Sequence, residues 1–421
     1  MIYTNDIVTN IESEILLFAD DTAILEPLSN DNQSIDKINR DLERLSSWAT
    51  QWLVQFNPTK TKYLIFSKKL ERRAYPPLYL QNKRLVEVEQ HKHLGLTLNN
   101  KLTWEDHISR VCTEAGKRLS VIKRLPSNIT PFTKLQLYKT FVRPVLEYGS
   151  VIFDNCSNNS SEAMESVQRQ AAIAATRAYK NTSNTYLLPE CGLESLQDRR
   201  TKAKLTLMFK IRRGKTPDYL RILLPKDVGE NQAYNLRNSQ NIRLPKITKN
   251  YFLKSFIPST IKSWNLLSEN LRNIAEVDTF KQNLSTIYGK VETYKPYLTG
   301  QSEGHIHLSR IRMNLSGLNA HRRKHHFIDH SICPKCNYPQ EDATHFLLEC
   351  TAYAAQRTTL MDHLRTLLPR HVGMLGQLGT KSNRKKLSKL LIQGTKSEDI
   401  DRTLFNIISQ FIESTNRFDR N

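Results

Sequence analysis

The chain has 421 residues, enough for two or three domains, and 39% of them are hydrophobic, so a packed core is possible. It carries 62 Lys and Arg against 41 Asp and Glu, a formal charge of +21, which favours a polyanionic partner, although a charge that serves only solubility stays open. No apolar run approaches the roughly 18 residues of a membrane-spanning helix. The polar start, with Asp6, is unlike a signal peptide, and six cysteines are a sparse usage. The composition therefore favours an intracellular, non-membrane protein that is not secreted.

Residues 14–26 predict a β-hairpin that carries two adjacent acidic side chains. Apolar runs at 15–19 and 23–25 flank Asp20 and Asp21. A tight turn with two carboxylates suits Mg²⁺, which prefers hard oxygen ligands, and phosphoryl-transfer enzymes use two such ions about 3.5–4 Å apart. The alternative is a solvated turn, because Asp is a common turn residue.

Further along the chain, hydrophobic spacing predicts short strands and then mostly helices. Residues 33–53 repeat apolar side chains every three or four positions, which predicts an amphipathic helix. Residues 63–66 predict a short buried strand, and residues 78–98 a second hairpin. From about residue 104 to 215 the spacing is helical.

These patterns predict an α+β fold in four segments. Residues 1–103 hold the hairpins and the first helix, and residues 104–225 form a mainly helical segment. Residues 226–300 are polar, Asn-rich and linker-like with short helices, and residues 301–421 combine a Cys/His segment with C-terminal helices.

Three of the six cysteines fall close together and predict a zinc site. The spacing is C-x2-C-x8-H-x4-C, through Cys333, Cys336, His345 and Cys350. Four such ligands fill a tetrahedral Zn²⁺ shell and leave no position for water, which is typical of a structural site. The alternatives are reduced cysteines without metal, or His325 or His326 as a replacement ligand.

Basic clusters along the chain predict contacts with phosphate groups. Arg322, Arg323 and Lys324 lie just before the cysteines. Helical pairs such as Lys117 with Arg118 suit contacts along a duplex that do not read its sequence. Further clusters occur at 123–124, 199–204 and 384–386. Each of these is equally compatible with a solvated helix face.

Four ordered blocks of sequence carry a resemblance to a known family. The first joins IYTND at residues 2–6 to LFADDTA at 17–23, and the second has Trp48 and Trp52 followed by FNPTKT at 56–61. The third is HKHLGLTL at 91–98 with LTW at 102–104 and HI at 107–108; the fourth is LYKT at 137–140 with PVLEYG at 144–149. Together they resemble the reverse transcriptases of non-LTR retrotransposons, jockey-like elements included. The resemblance covers roughly residues 2–215, with a weaker echo in LRN at 236–238 and SWN at 263–265.

The resemblance implies a role for each matching position. Asp20 would be a Mg²⁺ ligand with Asp21 as its partner, and Lys60 would face the phosphates of the incoming dNTP, unless it is a plain surface lysine. His93 and Gly95 would touch the primer backbone, where a small residue allows close approach, although a hairpin bulge explains Gly95 equally. The fold would then be a partial palm at 1–103, a helical thumb and connection at 104–225, and a zinc knuckle, which the family often carries.

The family's further catalytic aspartate and its fingers lie upstream of the segment that resembles residues 2–6. We therefore expect no DNA polymerisation by this chain alone, and an exposed apolar edge at residues 15–18. Three hypotheses follow: a fragment of an RNA-directed DNA polymerase, a non-catalytic basic zinc-containing protein that binds RNA or DNA, and a decayed relic. The first two imply an RNA template and a DNA primer, or an RNA–DNA duplex, as partners in a nuclear or cytoplasmic ribonucleoprotein.

Overall fold

A computed structural model describes residues 6–29, 31–69, 73–230, 238–246, 249–289, 302–369, 379–395 and 397–419. The chain forms two compact units, Met1–His107 and Ile108–Asn421. The segment boundaries predicted at residues 103, 225 and 300 stay predictions. Residues 2–5 and 236–237, which belong to the motifs above, lie outside the described residues.

Within its described residues, the first unit consists of short strands and one long helix. The strands pair two by two as β1–β2, β3–β6, β4–β5 and β7–β8, and only β3–β6 is parallel. The mixture of helix and small sheets is compatible with the predicted α+β class. The elements are β1 (Glu14–Phe18), β2 (Asp21–Leu25), α1 (Gln33–Gln51), β3 (Lys62–Tyr63), β4 (Tyr79–Leu80), β5 (Lys83–Arg84), β6 (Val86–Glu87), β7 (Gln90–His93) and β8 (Leu96–Asn99).

The amphipathic helix α1 provides one side of the core of the first unit. Its predicted apolar stripe faces the β4–β5 hairpin, and a polar contact fastens its middle to the segment before β1. The buried Asp41 accepts hydrogen bonds from the backbone amides of Glu12 and Ser13, both at 2.9 Å. This contact fixes where β1 begins. The core residues are Ile7, Ile35, Leu42, Leu45, Leu78, Leu80 and Leu85.

The strand predicted at residues 63–66 is shorter and less buried than expected. Only Lys62–Tyr63 is a strand, and it pairs in parallel with Val86–Glu87. Phe66 is 41% exposed. An apolar run of four residues predicts a buried strand only when a neighbouring strand of equal length covers it, and the partner here is two residues long.

The second unit is helical in the part of the chain that the structure describes. The region predicted to be helical, from about residue 104 to 215, contains a π-helical turn, Tyr138–Val142, just before Pro144. Proline lacks the amide that an α-helical bond requires, so the turn widens there. The first helices are α2 (Glu105–Lys123), α3 (Pro131–Leu137), α4 (Arg143–Glu147), α5 (Ser150–Phe153), α6 (Asn158–Thr176), α7 (Asn184–Glu190), α8 (Leu196–Arg212) and α9 (Asp218–Ile222).

The region predicted to be linker-like contains short helices that pack onto α8. Phe280 stacks on Phe209 of α8 with ring centroids 4.3 Å apart, and Trp264 lies 5.9 Å from Phe280. All three rings are buried. Short helices with isolated aromatic residues therefore build a hydrophobic cluster in a sequence whose average composition is polar. The helices are α10 (Asn250–Lys254), α11 (Phe256–Asn265), α12 (Glu269–Arg272) and α13 (Val277–Ile287).

The C-terminal helices surround the Cys/His segment. Phe346 lies against Tyr353, Phe411 and Phe418, with centroid distances of 5.7, 5.7 and 5.4 Å. No helix among the described residues combines the length and the apolar character needed to cross a bilayer. The elements are α14 (Glu303–Arg312), α15 (Asn319–Lys324), a π-helical turn (His345–Glu349), a 3-10 turn (Thr351–Tyr353), α16 (Ala354–Leu367), α17 (Lys381–Gln393) and α18 (Glu398–Ser414).

Candidate functional site

Two adjacent carboxylates lie at the tip of the β1–β2 hairpin. Phe18 pairs with Asp21, so Ala19 and Asp20 form the two-residue turn between the strands. Ala19 has a φ of +53°, a left-handed conformation that costs a residue with a Cβ about 1–2 kcal/mol. Both carboxylates are exposed, and so is the apolar edge beside them, with Phe18 63% exposed. The predicted strand–turn–strand arrangement is present, with both acids side by side in solvent.

These two carboxylates are not part of a larger ligand cluster. Among the described residues, Asp20 and Asp21 join no group of three or more His, Cys, Asp or Glu side chains close enough to hold an ion. Two adjacent carboxylates can offer ligands to Mg²⁺, but a rigid two-ion site needs further oxygen ligands. Those ligands would have to come from outside the described residues.

Lys60 lies on a turn that Asn57 organises. The Asn57 side-chain oxygen accepts hydrogen bonds from the backbone amides of Thr59 and Lys60, at 3.1 and 3.2 Å. The Lys60 side chain is exposed. Within the described residues, no hydrogen bond or ion pair joins it to Asp20 or Asp21. The structure thus presents Lys60 and the two acids as separate exposed groups in the same unit.

Asp6 is held by two tryptophans of the segment that the sequence singled out. The Trp48 and Trp52 indole N–H groups donate to the two Asp6 carboxylate oxygens, at 3.0 and 3.1 Å. The last residue of the first motif is therefore fastened to the C-terminal end of α1. The sequence motifs include all three residues, but they do not show that the residues are in contact.

His93 precedes a tight hairpin turn, and Gly95 lies in it. His93 pairs with Leu96, so Leu94 and Gly95 are the two turn residues. Both have positive φ, +45° and +84°, as a two-residue turn with the natural strand twist requires. Gly95 thus has a conformational reason to be glycine that is independent of any ligand, and it lies in a turn and not in a bulge.

The two adjacent basic residues in α2, Lys117 and Arg118, differ in their surroundings. Lys117 is exposed, and the described residues provide no carboxylate for it. Arg118 forms an ion pair with Glu114 at 3.3 Å and donates to the Phe141 carbonyl oxygen at 3.1 Å. Lys117 is therefore the member of the pair that is available to a phosphate.

The basic cluster at residues 199–204 is a set of internal ion pairs. Arg200 and Lys204 are both buried and share the Asp154 carboxylate, at 3.1 and 2.5 Å. Arg199 pairs with Glu147, and Lys202 with Glu194. Both sequence-based alternatives, a phosphate contact and a solvated helix face, are wrong for the buried pair. The acid that both cations contact lies some 45 to 50 positions earlier, so no local pattern reveals it.

The four predicted zinc ligands meet in space. Their ligand atoms all lie within 4.8 Å of one another. The Cys333 and Cys350 sulfurs are 3.9 Å apart, and the Cys336 sulfur lies 3.3 Å from the His345 Nε2 atom. A tetrahedral ion with bonds of roughly 2.3 Å separates two sulfurs by about 3.8 Å, whereas a disulfide needs about 2.05 Å. The cluster therefore has the size of a tetrahedral metal site with three sulfurs and one nitrogen.

Local backbone structure explains how the ligands converge. The turn after Cys333 is closed by a hydrogen bond from the Asn337 amide to the Cys333 carbonyl oxygen at 2.9 Å, with Asn337 at a φ of +59°. The Cys350 amide donates to the His345 carbonyl oxygen at 2.8 Å, which is a π-helical bond. This wide turn brings Cys350 to the same side as His345, and such turns are frequent at functional sites.

Burial sets the protonation of the metal-free cluster. Burial raises the pKa of the Cys333 thiol and raises the pKa of the Cys350 thiol to about 12. Burial also acts to raise the pKa of Cys336, but hydrogen bonds from the Tyr338 amide and the neighbouring thiols outweigh it, and the pKa is lowered. Burial lowers the pKa of His345. The cluster therefore holds a neutral imidazole and mostly protonated thiols at neutral pH, and a metal ion that bound there would have to displace the thiol protons.

Two glutamates support the cluster from outside, the half-buried Glu349 and the buried Glu341. Glu349 lies 3.9 Å from the His345 Nδ1 atom, which has no hydrogen-bond partner, and is itself held by Arg384 at 2.7 Å. A carboxylate behind the second ring nitrogen of a ligating histidine fixes the ring and raises its basicity. The sequence carries a signal for Glu349, since it follows His345 by four positions.

Glu341 connects the cluster to the end of α18. This fully buried carboxylate accepts from the Asn319 amide at 2.8 Å and from Arg417 at 2.6 and 2.7 Å, and the Cys333 sulfur lies 3.8 Å from it. Glu341 thus joins the metal-ligand loop, the start of α15 and a residue 76 positions later. No sequence pattern points to this role.

The basic run before the cysteines occupies α15 and is open to solvent. Arg322, Arg323 and Lys324 are exposed, and the described residues give none of them an ion pair. The His325 Nε2–H group donates to the Asn314 carbonyl oxygen at 3.2 Å, so this ring nitrogen is engaged away from the four ligands. The three cations remain available to an anionic partner.

The proteins similar in sequence to this chain form one class. They are RNA-directed DNA polymerases of transposons and mobile elements, jockey-like and other non-LTR retrotransposons, and they match about 35–44% of the chain at 24–28% identity. The resemblance predicted from the four motif blocks is therefore confirmed. No family model matches the chain, and no solved structure matches it.

Three relatives come from Drosophila melanogaster. The probable RNA-directed DNA polymerase from transposon X-element is 24% identical over 190 residues, which are 44% of this chain and 21% of that protein. The probable RNA-directed DNA polymerase from transposon BS is 26% identical over 184 residues, 43% and 20% of the two chains. The RNA-directed DNA polymerase from mobile element jockey is 28% identical over 159 residues, 36% and 17%. The matched segment is thus about a fifth of each relative.

Proposed function

We propose that this chain is part of an RNA-directed DNA polymerase of a non-LTR retrotransposon and that it binds a template–primer without polymerising alone. The observation that carries the proposal is the hairpin that presents Asp20 and Asp21 at an exposed tip, in a chain whose relatives are RNA-directed DNA polymerases. Residues 1–103 would be part of the palm, 104–225 the thumb and connection, and 301–421 a zinc-bearing segment.

In the proposed reaction, five residues of the first unit would each have a separate role. Asp20 and Asp21 would hold Mg²⁺, which when bound activates the attacking hydroxyl and offsets charge on the leaving phosphate. Lys60 would offset the negative charge of the incoming dNTP, because its ammonium has no carboxylate partner among the described residues. The turn at Gly95 would allow the primer backbone to approach beside His93.

Primer extension tests the first part of the proposal. Because the described residues supply two carboxylates, we expect no extension on an RNA template by the purified chain with Mg²⁺ and dNTPs. Adding an upstream polymerase segment of a relative, which supplies further carboxylates, should restore activity. Asp20→Asn with Asp21→Asn should then abolish it, while the exposed control Asp36→Asn leaves it intact. Extension by the unaided chain, or activity that survives the double substitution, would contradict the proposal.

Zinc at the Cys333, Cys336, His345 and Cys350 cluster is the second part of the proposal. The separations fit a tetrahedral ion, and the thiol and imidazole donors are those that zinc prefers. Zn²⁺ would act as a structural cross-link, since four protein ligands complete its shell. A chelator should therefore increase hydrogen exchange in residues 331–353 before other parts of the second unit. Unchanged local exchange after chelation would contradict the assignment.

A second candidate function is nucleic-acid binding without chemistry, in an intracellular ribonucleoprotein. It is favoured by the exposed cations of α15 beside the Cys/His cluster and by the formal charge of +21. Replacing Arg322, Arg323 and Lys324 with alanine should weaken binding to an RNA–DNA duplex and reduce the slope of log K against log salt by about three. The exposed pair Lys83 and Arg84, which lies outside the basic clusters named above, serves as the control. Salt-sensitive binding with no activity even after complementation would favour this function over the polymerase.

A further inference from the structure

A cavity of about 750 Å³ lies in the second unit, beside the basic helix α15. Its volume falls within the roughly 300–1,000 Å³ that is usual for sites that hold small ligands. Its walls come from residues 179–181 after α6, residues 315–317 before α15 and residues 417–419 after α18. Segments that lie far apart in the sequence thus converge on one open concave site.

Aromatic rings form much of this cavity. Tyr179 and Phe327 line it and are 40% and 51% exposed, which is unusual for two large rings at a single site. The Arg310 guanidinium lies over the Tyr179 ring at 4.3 Å from its centroid, and it also donates to the Arg177 carbonyl oxygen at 2.8 Å. This contact fixes the ring on one face and leaves little side-chain entropy to lose when a flat group stacks on it.

Two further rings in the lining of the cavity stack on each other and carry no charge near neutral pH. His307 stacks on Phe418 with centroids 4.4 Å apart and an angle of 13° between the rings. Burial lowers the pKa of His307 to about 4, so its imidazole is uncharged near neutral pH. Arg417 forms an ion pair with the buried Glu341. Phe418 and His307 therefore present ring surface and not charge.

Cations lie at the same cavity. Lys180 and Arg322 line it, and within the described residues neither forms an ion pair. Asp419 also lines the cavity and is the acid among the lining residues. Aromatic faces combined with cations that lack carboxylate partners are the features by which proteins hold single-stranded nucleic acid, because bases stack on rings while cations follow the phosphates.

We propose that this cavity binds an unpaired nucleotide of a single strand, with a base stacked on Tyr179 or Phe327 and its phosphates at Lys180 and Arg322. The inference rests on the proposed function, since it specifies which part of a nucleic acid this unit holds. A duplex does not fit the same role, because its bases are stacked on one another and their faces are closed to protein rings.

Fluorescence anisotropy with labelled oligonucleotides tests the proposal on the zinc-loaded full chain. Tyr179→Ala with Phe327→Ala should weaken binding of a single strand at least tenfold and change duplex affinity less than twofold. Tyr219→Ala, which removes a ring that is exposed outside the cavity, is the matched control and should change neither affinity. Lys180→Ala with Arg322→Ala should reduce the salt slope for the single strand by about 1.4. Parallel RNA and DNA strands of one sequence identify which sugar is preferred.

Zinc content and circular dichroism of each variant establish that it is folded, and photocrosslinking of a 5-iodouracil strand supplies a second measurement. Crosslinks at Tyr179 or Phe327 support the cavity. The cavity proposal is overturned if the Tyr179→Ala, Phe327→Ala variant binds a single strand as tightly as the wild type and the crosslinks lie elsewhere. In that outcome duplex binding persists. A chain that binds neither a single strand nor a duplex overturns the proposed function as well.

Discussion

Replacing Cys350 with serine is the sharpest test of the metal cluster, because it removes one ligand with almost no change in volume. The Cys350 side chain is fully buried, its sulfur lies 3.9 Å from that of Cys333, and its amide closes the π-helical turn from His345. Serine keeps this backbone bond but is a poor zinc ligand. Any loss of zinc affinity therefore measures the ligand and not the fold of the turn.

The expected magnitude follows from sharing the binding free energy among the ligands. Structural zinc sites bind with about 10–16 kcal/mol at neutral pH. A quarter of that is about 2.5–4 kcal/mol, which corresponds to roughly a hundredfold to a thousandfold weaker binding at 1.4 kcal/mol per tenfold. Because the proposed ion would link the Cys333 turn to the π-helical turn, the unfolding of residues 331–353 should become easier in the variant even with zinc present.

Competition with a chromophoric chelator measures the zinc affinity, and hydrogen exchange measures the opening of the segment. Cys112→Ser is the matched control, since Cys112 is a half-buried thiol outside the cluster. It should retain one tightly bound zinc per chain. Equal zinc affinity in Cys350→Ser and the wild type, or a wild type without stoichiometric zinc, would refute the reasoning.

Three further outcomes are expected. Zinc binding at pH 7 should release at least two protons, because burial raises the pKa values of Cys333 and Cys350; calorimetry in buffers of different ionisation enthalpy measures this, and fewer than two would contradict thiolate ligation. Gly304→Ala should lower the thermal stability of the second unit by an amount equivalent to about 1–3 kcal/mol, because a Cβ there collides with the Ser409 carbonyl oxygen; an unchanged melting temperature would contradict the close approach of α14 and α18. Asp41→Asn should destabilise the first unit by about 1.5–3 kcal/mol at pH 7, since hydrogen bonds to its charge are lost. The lowered pKa of Asp41 means that its contribution is present above pH 4 and disappears as the pH falls through the folded value, so denaturant curves of variant and wild type should converge in acid.

Local sequence patterns were sufficient for the two sites whose residues are close together in the chain. The hairpin that carries Asp20 and Asp21 follows from two apolar runs around a turn, and the metal cluster follows from the spacing of Cys333 to Cys350. The motif blocks also identified the class of relatives. For the hairpin and for the Cys/His cluster the information lies within about twenty residues, so one hairpin or one turn-and-helix unit contains it.

Contacts between residues that lie far apart in the chain could not be predicted from the sequence. Arg200 and Lys204 have the same local pattern as a solvated basic helix, and only the fold shows that both form ion pairs with Asp154. Likewise, the polar composition of residues 226–289 conceals the packing of Trp264 and Phe280 onto α8, because helices of four to eleven residues are too short for a clear periodicity. A single sequence does not show which side chains are buried by residues far away in the chain.

The buried Glu341 carboxylate has a practical consequence for how the chain is trimmed. Its charge is balanced by Arg417, which follows the last helix, α18. A truncation directly after that helix would therefore remove this arginine. Removing that arginine would leave a buried charge without its cation directly against the loop that carries Cys333. A version that ends at residue 415 should therefore lose zinc more readily than the full chain, although every one of its four ligands is still present.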